Sequence, residues 1–312
     1  MIKDFTDDYS IHGEKFLVVN AIVCKSAKGG KYLNIKLQDS SDVIEAKKWN
    51  ATDDDETILR RGNIVRIHGV VSIYNKNLQL NIESAEICDS DNLDNYLVSS
   101  PLSEKYLRDE VARLFDSMQD EDLKLVLSEF LHKYDKQYFI YPSAVTNHHD
   151  YLRGLVTHSL TMAHLCVSIV EEYKLTGIEL NKDLLICGAL LHDIGKISEF
   201  TSEILPEYST EGKLLGHISI GSCEIHEICE KLHIDHEKTM LLQHMILSHH
   251  GQYDFGSPVL PMTKEALILS MVDNLDAKLV MFDKEINNLL QEGTFTDRMA
   301  KLDNRSIYKP KK

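Results

Sequence analysis

The sequence predicts a protein of two domains, a small β-barrel followed by an all-α domain. Within residues 14–88, short runs of Val, Ile, Leu and aromatic residues alternate with Gly, Asn, Asp and Ser, as in β-strands joined by turns. Beyond residue 102, apolar residues instead recur at intervals of three and four, which is the periodicity of amphipathic helices. A length of 312 residues is sufficient for two hydrophobic cores.

Five strands are expected in the first domain, with an acidic insert at Asp53–Glu56 after the third strand. Five short strands with one such insert are typical of the Greek-key barrel known as the OB-fold. The predicted strands are Lys15–Cys24, Tyr32–Gln38, Val43–Trp49, Asn63–Tyr74 and Leu78–Ile87.

The predicted barrel carries features of a surface that binds single-stranded nucleic acid. Six lysines and only three acidic residues lie between Lys25 and Lys48. Tyr32, Trp49 and Tyr74 are candidate platforms on which bases stack, and Lys47 is a candidate backbone contact. The alternative is that Trp49 belongs to the core and the lysines keep edge strands soluble.

The remaining chain is divided by composition. Residues 91–102 are acidic and polar, as expected of a linker, and the later segments are helical. The predicted helices are Ser103–Met118, Glu121–Tyr134, Gly154–Tyr173, Lys182–His192, His217–Leu232, His236–His250 and Thr263–Leu290. The predicted boundaries are an N-terminal extension at 1–13, a nucleic-acid-binding barrel at 14–90, the linker at 91–102, an all-helical domain at 103–300 and a basic tail at 301–312.

Composition restricts location and partners. The formal net charge of −15 argues against non-specific binding to duplexes, although a local basic face or bound divalent ions can still attract a nucleic acid. The six cysteines form no CxxC pair, which favours a reducing, cytoplasmic location. Residues 1–30 do not resemble a signal peptide, and no apolar run approaches the ~20 residues of a membrane span.

The residues with the clearest chemistry lie at Leu190–Lys196, where an apolar run ends in His192-Asp193. Adjacent residues on a helix point in different directions, so both can reach one ion only near a helix end, which Gly195 is expected to provide. Further imidazoles and carboxylates recur near the ends of successive predicted helices. The candidate metal ligands are His158, His192, Asp193, His217, His249, His250 and Asp273.

These ligands favour divalent transition metals, which neutral imidazole and carboxylate groups bind. His158, His192, Asp193 and Asp273 would hold one ion. His217, His249 and His250 would hold a second, with Asp193 as the bridge between them. Two adjacent ions suit in-line attack of water on phosphorus.

Two further groups are candidates for contacting the substrate. Lys196 is a candidate contact for the phosphate oxygens, and His148 and His149 are candidates for the substrate entrance. Taken singly, His158 would more often be a residue of the core, and Lys196 a cation favoured by a helix end. The seven ligands in this order favour a site, with Asp193 and Lys196 as its catalytic residues.

The pattern of His158, His192-Asp193 and Asp273 resembles the H…HD…D signature of the HD-domain metal-dependent phosphohydrolases, an all-α superfamily. With the preceding OB-fold, nearly the whole chain resembles the YhaM-type 3′→5′ exoribonucleases. The resemblance rests on Leu37-Gln38-Asp39, Glu45-Ala46-Lys47, Trp49, His148-His149, Gly154-Leu155, His158-Ser159, Leu191–Lys196, Gly216-His217, Ser248–Gly251, Gly256-Ser257-Pro258, Asp273–Lys278 and Asp303–Pro310.

The resemblance implies a metal-dependent 3′→5′ exoribonuclease that releases nucleoside 5′-monophosphates from single-stranded RNA. Single-stranded DNA is a further candidate substrate. Two divalent ions are expected, with Mn²⁺ favoured over Co²⁺, Fe²⁺ or Zn²⁺. No membrane partner is expected, and assembly into a homo-oligomer is possible on this interpretation. The alternatives are an HD-type nucleotidase or dinucleotide phosphodiesterase acting on small substrates, and a non-catalytic RNA-binding adaptor.

Overall fold

The computed structural model describes residues 1–26, 29–74, 77–88, 93–144, 151–202, 204–288, 294–296, 298–299, 302 and 304–310. The chain divides into two compact units, Met1–Ser99 and Ser100–Lys312. Across the described ranges, no helix is both long enough and apolar enough to cross a membrane. His148 and His149, the candidates for the substrate entrance, lie outside the described residues.

The first unit is the predicted five-stranded barrel. Its strands close in the order β1-β2-β3-β5-β4. A short helix, α1 (Asp53–Ile58), occupies the predicted acidic insert and begins at a capping box formed by Thr52 and Asp55. The strands are β1 (Ser10–Lys25), β2 (Lys31–Gln38), β3 (Val43–Trp49), β4 (Ile64–Tyr74) and β5 (Asn77–Ile87).

The barrel closes because β1 is long enough to pair with two neighbours. Its first half pairs with β4 and its second half with β2, and a register shift interrupts each pairing. Such irregularities bend a strand, as a small barrel requires. The parallel pair β3–β5 completes the closure. Alternation along β2 points Leu33, Ile35 and Leu37 into the core and leaves the intervening side chains outside.

The second unit confirms the prediction of an all-α domain. Its helices are α2 (Glu104–Ser117), α3 (Glu121–Tyr138), α4 (Gly154–Leu175), α5 (Lys182–Leu191), α6 (Lys196–Glu199), α7 (Thr210–Leu232), α8 (His236–Ser248) and α9 (Lys264–Asn288). The one-turn helix α6 was not predicted, and α7 begins at Thr210 rather than His217. Gly216 kinks α7 just before His217, with φ of +70°, a conformation that favours glycine.

Helix α5 lies at the centre of this unit. Leu184 to Leu191 are all buried, so the helix is apolar all round. The side chain of Asn181 caps its N-terminus by accepting from Leu184 N at 2.9 Å. The buried carboxylate of Asp183 accepts from the backbone N–H groups of Gln119 and Asp120, which directly precede α3. The core and these contacts thus hold α5 in place, and His192 and Asp193 directly follow its last residue, Leu191.

The expectation that Gly195 provides a helix end is wrong. Helix α5 already ends at Leu191, and Gly195 has ordinary right-handed angles, φ −59° and ψ −20°, as the N-cap of α6. Its lack of a side chain serves close packing instead. A Cβ at this position would lie 2.0 Å from the carbonyl oxygen of His217 and 2.8 Å from the nitrogen of Gly221. Gly195 therefore lets α7 bring His217 against the His192-Asp193 segment.

Candidate metal centre

The structure brings all seven predicted ligands together in the helical unit. His158 lies in the first turns of α4, His192 and Asp193 follow α5, and Asp273 lies in α9. His217 follows the kink in α7, and His249-His250 directly follow α8. Most of these side chains are buried, as a site inside a helical core requires.

One set of ligand atoms is formed by His158, His192 and Asp273. The Nε2 atom of His158 lies 3.2 Å from Asp273 Oδ1 and 3.2 Å from His192 Nε2. All three ligand atoms lie within 4.8 Å of one another, which is close enough for one ion to contact all of them.

A second set is formed by His217, His249 and His250. Their ligand nitrogens also lie within 4.8 Å of one another. The rings of His249 and His250 meet with centroids 4.2 Å apart, although the two residues are adjacent in sequence. They can converge because they follow the last turn of α8, where the chain leaves the helix.

Asp193 lies between the two sets. Its Oδ2 atom is 3.3 Å from His192 Nε2 and 3.8 Å from His158 Nε2. Its Oδ1 atom is 3.5 Å from His217 Nε2 and 3.7 Å from His249 Nε2. Each oxygen of one carboxylate therefore faces a different set of imidazoles.

The five imidazoles all use their two ring nitrogens in the same way. In each of the five histidines, Nδ1 is engaged by an oxygen atom at 2.6–3.2 Å, which leaves Nε2 for the centre. A hydrogen bond at one ring nitrogen fixes the tautomer and presents the other nitrogen as a ligand. The Nδ1 partners are Asp276 for His158, Ala189 O for His192, Glu199 for His217, Ile246 O for His249 and Phe255 O for His250.

Unsatisfied polar atoms mark what the centre is suited to hold. Within the described part of the chain, Asp193 Oδ1, His217 Nε2 and His249 Nε2 are buried without a hydrogen-bond partner. Each such atom costs about 1–3 kcal/mol unless it is satisfied. Burial, together with the neighbouring His250 and His192, lowers the pKa of His249 well below its ordinary value. The ring is therefore neutral and has a lone pair with which to bind a metal ion. A neutral imidazole such as that of His249, close to the carboxylate of Asp193, fits a divalent metal ion.

Two residues that support the ligands were missed by the sequence analysis. Asp276 binds His158 Nδ1 through Oδ2 at 2.6 Å, and its position three residues after Asp273 on one helix was a usable signal. Glu199 Oε1 accepts from the backbone N–H of His217 at 3.0 Å and lies 3.2 Å from His217 Nδ1. Glu199 lies on α6, which is too short to show a periodic pattern.

Lys196 lies beside the centre with its charge already engaged. Its Nζ atom donates to Asp193 Oδ2 at 2.6 Å and to Ser143 Oγ at 3.2 Å, and the residue is 8% exposed. Burial alone would raise the pKa of Asp193, but the positive charge of Lys196 and the neighbouring His192 hold it well below its usual range. Asp193 is therefore an anion at neutral pH.

A cavity of about 650 Å³ opens over the centre. Asp193, His217, His250 and Asp273 form part of its lining, so both ligand sets are accessible from it. Such a volume is typical of sites for small organic molecules. Other side chains along its wall include Phe200, Tyr208, Phe255, Asn274 and Lys278.

The barrel unit carries the predicted aromatic group on its outer surface. The rings of Tyr32 and Trp49 have centroids 4.8 Å apart, because the two residues pair across β2 and β3. Lys47 Nζ lies 5.6, 5.1 and 5.0 Å from the ring centroids of Tyr32, Trp49 and Tyr74. Trp49 is 46% exposed, so the alternative that it belongs to the core is wrong. We call these four residues the aromatic platform.

Comparisons with known proteins agree with both units. The HD domain family matches residues 155–278, and the family described as OB-fold nucleic acid binding domain matches residues 17–87. The 3′-5′ exoribonuclease YhaM of Bacillus licheniformis is 38% identical over 299 residues, covering 95% of this chain and 94% of that protein. The YhaM proteins of Bacillus subtilis and Listeria innocua are 36% and 35% identical, each covering 95% of this chain and 94% and 95% of their own lengths.

Proposed function

This chain belongs to the family of YhaM 3′-5′ exoribonucleases, and from that premise we propose that it hydrolyses single-stranded RNA from the 3′ end. Each cycle releases a nucleoside 5′-monophosphate and leaves a 3′-hydroxyl on the shortened RNA. The observation that carries this proposal is Asp193, whose two oxygens face two separate sets of histidines beneath one cavity. Such an arrangement suits the hydrolysis of a phosphodiester and has no evident use in binding alone.

We propose that the centre holds two divalent ions, with Mn²⁺ preferred. His158, His192 and Asp273 would hold one ion, His217, His249 and His250 the other, and Asp193 both. When bound, such ions supply Lewis-acid activation of water and stabilise the charge that develops on the phosphate. Asp276, Glu199 and the three backbone carbonyls hold the imidazoles in place. Lys196 keeps Asp193 ionised and adds positive charge at the wall of the cavity.

The released products distinguish this reaction from other ways of cutting RNA. Chromatography of an exhaustive digest is expected to yield nucleoside 5′-monophosphates. Nucleoside 2′,3′-cyclic phosphates would instead indicate attack by the 2′-hydroxyl of the RNA, and nucleoside 3′-monophosphates would indicate cleavage of the P–O5′ bond; either product would contradict the proposed reaction.

We propose that the aromatic platform holds the RNA strand. Exposed rings give stacking surfaces for successive bases. The ammonium of Lys47 lies among the rings, in a position to pair with a phosphate of the strand. Stacking does not sense the 2′-hydroxyl, so single-stranded DNA is expected to bind to the same platform.

Replacing Trp49 by alanine should raise KM for a long single-stranded RNA roughly tenfold. Loss of one stacked base costs about 1–3 kcal/mol, and every 1.4 kcal/mol is a factor of about ten. The kcat at saturating RNA should stay unchanged, because Trp49 lies in the barrel unit and the ligands lie in the helical unit. Steady-state kinetics on the RNA measure both constants.

Tyr9→Ala is the matched control, because Tyr9 is also an exposed aromatic residue of the barrel but stacks on Phe5 rather than on the platform. It should leave KM within about twofold of the unmodified protein, as surface substitutions outside a binding site usually do. An unchanged KM in the Trp49→Ala protein would remove the platform from RNA binding.

Replacing Glu199 by glutamine should weaken metal binding at the set that contains His217. The amide keeps an acceptor but loses the charge that favours the donor form of His217 Nδ1. Loss of such a support typically lowers metal affinity by about 10–100-fold. Calorimetric titration with Mn²⁺ measures this for each class of site. Glu211→Gln changes an exposed glutamate of the same helix as His217 and should leave both affinities unchanged.

A further inference from the structure

The wall of the cavity holds a lysine that the arrangement of the ligands does not use. Lys278 lies five residues after the ligand Asp273 on α9, and both line the cavity. At a helical rise of about 1.5 Å per residue, Lys278 begins about 7.5 Å further along the axis than Asp273. Asn274, Ala277 and Met281 line the same wall. One strip of α9 therefore runs from the centre to this lysine.

Each carboxylate that lines the cavity in the described part of the chain has a lysine or histidine beside it. Asp193 pairs with Lys196, Glu199 with His217, and Asp273 with His158. Asp276, which lies two residues before Lys278, is directed to His158 Nδ1 at 2.6 Å. Among the wall residues that the structure describes, each acidic side chain therefore already has a partner other than Lys278.

Lys278 is half-buried and, among the residues that the structure describes, forms no ion pair. Lys196, a second lysine of the wall, has its ammonium on Asp193 Oδ2 and Ser143 Oγ. A lysine held at the wall of a cavity without a counter-charge favours an anionic ligand. Because the chain has a net charge of −15, a local positive charge of this kind is needed to attract a polyanion such as RNA to the cavity.

We propose that Lys278 binds the phosphate adjacent to the scissile phosphate, on the side of the remaining RNA. This inference rests on the proposed function. The scissile phosphate lies over the ligands, and the strip of α9 leads from them to Lys278, so the ammonium meets the next linkage of the strand. Lys278 is thus a substrate-positioning residue that fixes how far the 3′ end enters the cavity.

The test combines a substitution in the protein with a neutral linkage in the RNA. Single-turnover release of the terminal nucleotide is measured for an all-phosphate RNA and for one with a methylphosphonate at the linkage next to the scissile one. For the unmodified protein, the neutral linkage should lower kcat/KM roughly tenfold, as expected for a lost hydrogen bond to a charged group. The Lys278→Gln protein should show a similar loss of kcat/KM on the all-phosphate RNA. Its kcat/KM should be the same on the RNA with the neutral linkage.

Non-additivity of the two changes is the signature of a direct contact. Lys278→Arg keeps the positive charge. It should therefore retain the kcat/KM of the unmodified protein on the all-phosphate RNA, and also the loss of kcat/KM that the neutral linkage causes. Lys174→Gln, at an exposed lysine of α4 outside the cavity lining, should behave as the unmodified protein. Equal sensitivity to the neutral linkage with and without Lys278 would overturn the proposal. Absence of hydrolysis in the unmodified protein would instead contradict the proposed function.

Discussion

Replacing Asp193 by asparagine should lower the hydrolysis of RNA by at least about 10³-fold. The substitution keeps the shape of the side chain but removes the charge that both sets of histidines share. Metal ions contribute several kcal/mol to stabilising a phosphoryl transition state, and about 4 kcal/mol corresponds to this factor. Rates of nucleotide release from a labelled RNA, together with the bound metal measured by elemental analysis, check the prediction.

The control for this variant is Asp183→Asn, since Asp183 is also a buried carboxylate of the helical unit. It accepts from the backbone N–H groups of Gln119 and Asp120, so its loss should lower the free energy of unfolding by about 1–3 kcal/mol. Hydrolysis per folded molecule should be unchanged. If Asp193→Asn retained full activity, or lost it only through unfolding, the assignment of Asp193 as a shared ligand would be wrong.

Removing divalent ions with a chelator should abolish hydrolysis and leave RNA binding by the barrel intact. The buried atoms Asp193 Oδ1, His217 Nε2 and His249 Nε2 would lose their partner. The helical unit should therefore unfold at a lower temperature; an ion at 100 times its dissociation constant contributes about 2.7 kcal/mol. Calorimetric melting, with and without Mn²⁺, measures this shift.

In the Asp193→Asn protein, addition of Mn²⁺ should raise the melting temperature much less, which ties the stabilisation to the proposed centre. Hydrolysis that persists after complete removal of metal would contradict the role of the ions. RNA binding without metal-dependent cleavage under any divalent ion would favour the adaptor over the enzyme.

The cluster of candidate ligands could be predicted from sequence because His and Asp have few other uses in an apolar helical core, and several of these residues follow the end of a helix. His192-Asp193 at the end of a buried helix and His249-His250 at the end of α8 are such cases. The strands could be predicted because β2 and its neighbours alternate apolar and polar residues.

The supporting residues could not be predicted in the same way. Glu199 acts from a helix of a single turn, and its contact with His217 is made across α6 and α7. The role of Gly195 depends on the approach of the α7 backbone, which no local pattern encodes. Lys196 illustrates the same limit, since sequence placed a cation beside the centre but could not show that Asp193 engages it.

We expect the helical unit to remove nucleotides one at a time from the 3′ end of RNA. A time course with 5′-labelled single-stranded RNA and Mn²⁺ shows whether it does so. The proposed function predicts a ladder of labelled fragments that shorten progressively, with no labelled mononucleotide at early times. Immediate release of the label as a mononucleotide, or internal cuts that leave fragments of fixed length, would contradict it.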